Sequence, residues 1–191
     1  MRRIFLAISF IFILFPFTMS GQRSALLLID IQDFYFPGGR VPLAEPEKAA
    51  QNAARLLEHF RREELTVIHV RHNSEPGGMI HKIVEPLQGE MIFFKDAVNC
   101  FLNTDLLDSL RSKRIDTIVI CGMQTHMCVE AATRAASDYG FKCILVHDAC
   151  TTRDLKYGDR LIKAEDVHYS TLVTLKDYAT VVSAGEYLKW K

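Results

Sequence analysis

The chain reads as an α/β protein: a three-layer αβα, doubly wound, mainly parallel six-stranded sheet in a single domain. Two observations predict this. Several apolar runs are continuous rather than alternating, among them Ser24–Ile31 (SALLLIDI) and Thr117–Cys121 (TIVIC), which marks strands buried on both faces. Segments with apolar residues at helical spacing separate these runs, and strands alternating with helices give a parallel sheet covered on both sides.

The elements follow in order. After Ser24–Ile31, Pro37-Gly38-Gly39 breaks the chain. Pro46 opens a helix through about Glu63, with Ala49, Ala53, Leu56, Leu57 and Phe60 on one face. Thr66–Arg71 (TVIHVR) is a second strand, and the Gly- and Pro-containing stretch 73–90 is irregular or holds a short helix. Met91–Lys95 is a third strand. Thr104 caps a helix to about Lys113, and Thr117–Cys121 is the fourth strand. His126–Tyr139 is a helix with Met127, Cys128, Ala131, Ala132 and Ala135 at core-facing spacing and Gly140 as its stop. Lys142–His147, a helix over Glu165–Tyr178, a short strand Thr180–Ser183 and a last turn at Ala184–Leu188 complete the chain. No repeat or linker interrupts it.

The first residues have a different character. Arg2 and Arg3 precede an apolar run from Ile4 to Phe17, with small residues at a plausible cut after Ser20. That is the pattern of a signal peptide over residues 1–20, leaving 21–191 as the working domain. The run is shorter than the roughly 20 residues a membrane span needs, so no membrane association is expected once it is removed. Export implies a periplasmic or secreted protein. If translation starts instead at Met19, the protein is cytoplasmic. Lys plus Arg equals Asp plus Glu at 23 each, so nothing in the net charge points to nucleic acid.

The five cysteines contain no C-x-x-C pair, which removes the usual zinc and dithiol patterns. Ligands of open parallel sheets bind beyond the carboxyl ends of the strands. Asp30 sits near the end of the first strand, Lys95 ends the third, and Cys128 follows the fourth in the first turn of its helix. A helix N-terminus and a nearby cation favour a thiolate, so Cys128 is expected to have a lowered pKa. The same helix start offers free N–H groups to an oxyanion. Cys121 and Cys143 lie in apolar strands, Cys150 just past a strand end and Cys100 in a loop. Spacing alone equally suits Cys128 as a core cysteine, and Asp30 as half of a structural ion pair.

Asp30, Lys95 and the segment Gly122-Met123-Gln124-Thr125-His126-Met127-Cys128-Val129-Glu130 resemble the isochorismatase-like cysteine hydrolase superfamily, which includes nicotinamidase-related amidohydrolases. Leu28–Gln32, Tyr35–Gly39, Glu90–Lys95 and His147-Asp148-Ala149 fit as well, and the likeness runs from Ala25 to Leu188. The resemblance implies an isochorismatase-like, Rossmann-like fold and an Asp30–Lys95–Cys128 triad. It also implies a cis peptide between Met123 and Gln124, an oxyanion hole from the backbone N–H groups of Gln124 and Cys128, and a substrate pocket lined by Tyr35. The expected activity is hydrolysis of a non-peptide C–N bond in a small molecule, through a thioester, by a dimer or tetramer and without a cofactor.

Departures matter too. Nicotinamidase-type relatives carry an Asp-x-His metal site after the second strand, where this chain has Arg71-His72-Asn73-Ser74. His69, His72 and His81 remain nearby, but no metal is expected, because a lone histidine is more often a satisfied polar residue. Two alternatives stay open: hydrolysis of an ether or ester of the isochorismatase type, and a catalytically weak member acting as a binding module.

Overall fold

Ala25, Leu26, Leu27 and Ile29 are wholly buried because β1 (Ser24–Ile29) runs through the middle of the sheet. The computed structural model describes residues 23–190, so the signal peptide expected at 1–20 lies outside the described residues. β1 pairs with β2 (Thr66–His72) on one side and β4 (Thr117–Met123) on the other. β3 (Met91–Lys95), β5 (Lys142–Thr151) and β8 (Thr180–Val182) complete the order β3-β2-β1-β4-β5-β8, every pairing parallel. Helix α1 (Pro46–Arg62) packs with α5 (Ala184–Tyr187), and α3 (Glu130–Asp138) with α4 (Ala164–Leu175), as the two covering layers. The short α2 (Leu106–Ser112) precedes β4. Chain order reverses direction at β1 and β4, and the crevice beyond their carboxyl ends is where ligands of such sheets bind.

Several boundaries differ from the expected ones for local reasons. β1 ends at Ile29, two residues early, because Asp30 turns left-handed at φ 49°. α2 starts at Leu106 with Asp105 at its N-cap; the Thr104 hydroxyl donates to the Cys100 carbonyl at 2.6 Å. The expected helix 126–139 is two elements: a π-helical turn, Thr125–Val129, and then α3. β5 extends to Thr151, so Cys150 lies inside a strand rather than past its end. Within 151–163 the chain forms an antiparallel hairpin, β6 (Leu155–Tyr157) and β7 (Arg160–Ile162). Its loop is Gly158-Asp159, a dipeptide suited to tight hairpin turns.

One glycine is required by the sheet itself. Gly122 has φ +131°, and a Cβ there would stand 2.0 Å from the Ile29 carbonyl oxygen. The clash is with backbone, so the two central strands would have to separate. Gly122→Ala should therefore cost about 3 kcal/mol or more, read as a lower urea midpoint; an unchanged midpoint would refute this account of the position.

Candidate active site

The site begins with the problem of a carboxylate at the end of an apolar strand. Asp30 has no solvent exposure, and its N–H donates to the Val70 carbonyl at 3.0 Å. Left-handed backbone at a non-glycine residue is strained, and here the strain swings the side chain off the sheet's pleat at the crevice. Gln32 secures the neighbourhood: its amide donates to the carbonyls of His72 and Gly78 and accepts from the His72 N–H.

Lys95, at the end of β3, supplies the counter-charge and is only 1% exposed. Its Nζ lies 2.7 Å from Asp30 Oδ2 and 3.2 Å from Cys128 Sγ. His72 Nδ1 and the Ala97 carbonyl, each at 3.1 Å, complete its surroundings. A buried ammonium is tolerated only with such partners. The Cys128 thiol also faces the Asp30 carboxyl, and their side chains share a hydrogen bond. The structure therefore brings Asp30, Lys95 and Cys128 together, with the thiol facing the carboxyl group that could take its proton.

Electrostatics revise one expectation. Burial pushes the Cys128 thiol up to about 12, and the Asp30 charge adds to the rise while Lys95 opposes it. The lowered pKa expected from the helix start is thus overturned, because that reading took no account of desolvation. Burial also raises Asp30, outweighing the pull of Lys95. Burial alone would lower Lys95, but Asp30 and Cys128 outweigh it and hold the ammonium charged. The site is an ammonium beside a carboxyl group of raised basicity and a neutral thiol. Cys143 and Cys150 are likewise pushed up, to about 11 and about 12, and Cys100 and Cys121 are raised by burial. Cys128 differs from them in its neighbours, not in its acidity.

The peptide bond between Met123 and Gln124 is cis. The Gln124 side chain, 4% exposed, donates to the Tyr35 hydroxyl at 3.3 Å and accepts from Arg153 Nε at 3.2 Å. Burial pushes the Tyr35 phenol up to about 12, so it stays protonated. Arg153 was not among the expected site residues. It stands two residues past the end of β5, so the carboxyl-end rule would have found it had that end been placed at Thr151. Also missed are Thr125, 2.8 Å from His168 Nδ1, and Thr152, 2.6 Å from His126 Nδ1.

The three histidines considered as ligands do separate work. His69 Nε2 is 3.0 Å from Glu90, which Arg61 also holds; His72 meets Lys95; His81 stacks on Phe36 with centroids 3.7 Å apart. Among the described residues no three His, Cys, Asp or Glu side chains are grouped to hold a metal ion.

Comparison with known proteins agrees with this geometry at the level of family. A family model described as the isochorismatase domain matches residues 24–182. YddQ of Bacillus subtilis, named an uncharacterized isochorismatase family protein, is 43% identical over 180 residues, covering 88% of this chain and 100% of its own. Maleamate amidohydrolase of Pseudomonas putida is 27% identical over 183 residues, 82% of this chain and 85% of its own. A crystal structure described as an isochorismatase hydrolase from Oleispira antarctica matches at TM-score 0.85 and 39% identity, covering 90% of this chain and 98% of that one. Because the family model takes in every strand of the central sheet together with the crevice residues, the chain belongs to the isochorismatase family of hydrolases.

Proposed function

We propose that this hydrolase cleaves a C–N bond of a small amide through a thioester on Cys128. One observation carries the reading: a single ammonium lies 2.7 Å from Asp30 and 3.2 Å from the Cys128 sulfur. The maleamate amidohydrolase relative, named for an amide, supports it. The Cys128 proton passes to Asp30 as sulfur bonds to the carbonyl carbon, and Lys95 compensates the anion formed. The carbonyl electron pair moves to oxygen, which the N–H groups of Gln124 and Cys128 receive. Collapse breaks the C–N bond, and Asp30 returns the proton to the leaving nitrogen. Asp30 then deprotonates water, which attacks the thioester; the C–S bond breaks and the thiol is restored.

The substrate is a small amide that also carries a carboxylate. No acidic side chain is ion-paired with Arg153 among the described residues, and its guanidinium stands beside Gln124 and Tyr35, where the pocket is expected. Arg153→Gln should raise KM about 10- to 100-fold for carboxylate-bearing amides and leave neutral amides within about threefold. Equal losses on both would remove the anion-binding role.

A panel of small amides, ureas and hydroxamates, assayed for ammonia release with wild type and Cys128→Ala, tests the whole. Turnover on at least one amide, lost by a factor of about 10³ or more in the variant, is the expected result. Full turnover by Cys128→Ala would select ether or ester chemistry of the isochorismatase type instead.

A further inference from the structure

The turn that carries Gln124 and Cys128 is gripped at two consecutive residues by different parts of the fold. Thr125 Oγ1 meets His168 Nδ1 on α4 at 2.8 Å, and His126 Nδ1 meets Thr152 Oγ1 just beyond β5 at 2.6 Å. Thr125 and Thr152 are buried, at 0% and 2% exposure. Between these grips the turn is π-helical, with the N–H groups of Met127 and Val129 both donating to the Gln124 carbonyl, at 3.0 and 3.3 Å.

A π turn leading into an α-helix is the less common register and is found mainly at functional sites. Left to itself, the segment can tighten to the α register, with Val129 N–H on the Thr125 carbonyl instead. That change would turn the peptides of the segment and draw the Cys128 N–H toward the Gln124 carbonyl, four residues back, and away from a ligand. A hydrogen bond holding Thr125 from outside opposes the rotation. The grip is between neutral groups: burial, aided by His147, pushes His168 down to about 4.

Resting on the reading of Cys128 as nucleophile, we propose that His168 is a positioning residue which, through Thr125, aims the backbone donors at the oxyanion without acting on the thiol. Neither His168 nor Thr125 has a hydrogen bond to the side chains of Asp30, Lys95 or Cys128. His168 also borders a cleft of about 520 Å³, so a smaller side chain there opens toward space already present.

Two Cys128 probes separate this role from a structural one. Acylation by para-nitrophenyl acetate passes through a tetrahedral oxyanion, the sulfur displacing nitrophenolate. Alkylation by iodoacetamide displaces iodide at a saturated carbon and forms no oxyanion. Thr125→Val and His168→Leu should each slow acylation by about 30-fold, less than the roughly 10²- to 10³-fold of losing an oxyanion donor outright because the donors are misaimed and not removed, and leave alkylation within about threefold. His168→Asn, whose amide reaches the place of Nδ1, should recover acylation to within about fivefold of wild type, and the double variant should be no slower than either single one. Unchanged acylation, or acylation and alkylation falling together, would overturn the inference. Neither result resembles failure of the nucleophile itself, which shows as full turnover by Cys128→Ala.

Discussion

Asp30→Asn should abolish amide turnover while making Cys128 easier to alkylate. The amide cannot take the thiol proton, and losing a positioned general base costs about 10² to 10⁴ in rate. Yet the Asp30 charge is one of the causes that raise the Cys128 thiol, and Lys95 lies 3.2 Å from the sulfur. Without the carboxylate, the thiolate becomes the anion nearest the buried ammonium and its proton affinity falls. Iodoacetamide at pH 7 should therefore label Cys128 at least as fast as in wild type, and the pH midpoint of labelling should move down. Turnover within tenfold of wild type would remove Asp30 as the base, and slower labelling would show that its charge does not oppose the thiolate.

The site was legible where a residue contradicts its surroundings. A carboxylate after Leu26-Leu27-Leu28-Ile29 demands an explanation from sequence alone, whereas a lysine closing Met91-Ile92-Phe93-Phe94 is unremarkable until it is set beside Asp30 and Cys128. The covered parallel sheet was legible from its strands, since runs buried on both faces leave little else, but the strand order came only with the fold. Arg153 was not, because it depends on where β5 stops. His147-Asp148 looks like the polar end of a strand, but the ladder resumes after a register shift, with Gly122 opposite Cys150 and Met123 opposite Thr151. His168 was hidden because it lies 43 residues beyond the Thr125 it holds, a contact that only the fold creates. The thiol's acidity escaped for another reason: motif and helix position name its neighbours, but desolvation is set by packing around the site.

Lys95→Met separates the structural cost of the site from its chemistry. Methionine fills much of the volume, so the main loss is electrostatic: a buried carboxylate without its ammonium. Breaking a buried pair from one side costs about 3 to 5 kcal/mol, whereas replacing both members can be close to neutral. Asp30 can reduce the cost by holding its proton, and the sign of the pH dependence follows. Its native pKa is already raised, and removing Lys95, which lowers it, raises it further. A group with a raised native pKa favours folding below its unfolded pKa and loses that contribution as pH rises toward the native value. The variant should therefore lie nearest to wild type in acid, below the native pKa of Asp30, and the stability gap should widen as pH rises from there toward the variant's still higher pKa, at no more than about 1.4 kcal/mol per pH unit. In Asp30→Asn/Lys95→Met the widening should vanish and much of the stability should return. A gap independent of pH in the single variant would mean that the Asp30 charge is not confined by burial, and the proton-transfer role assigned to it would lose its physical basis.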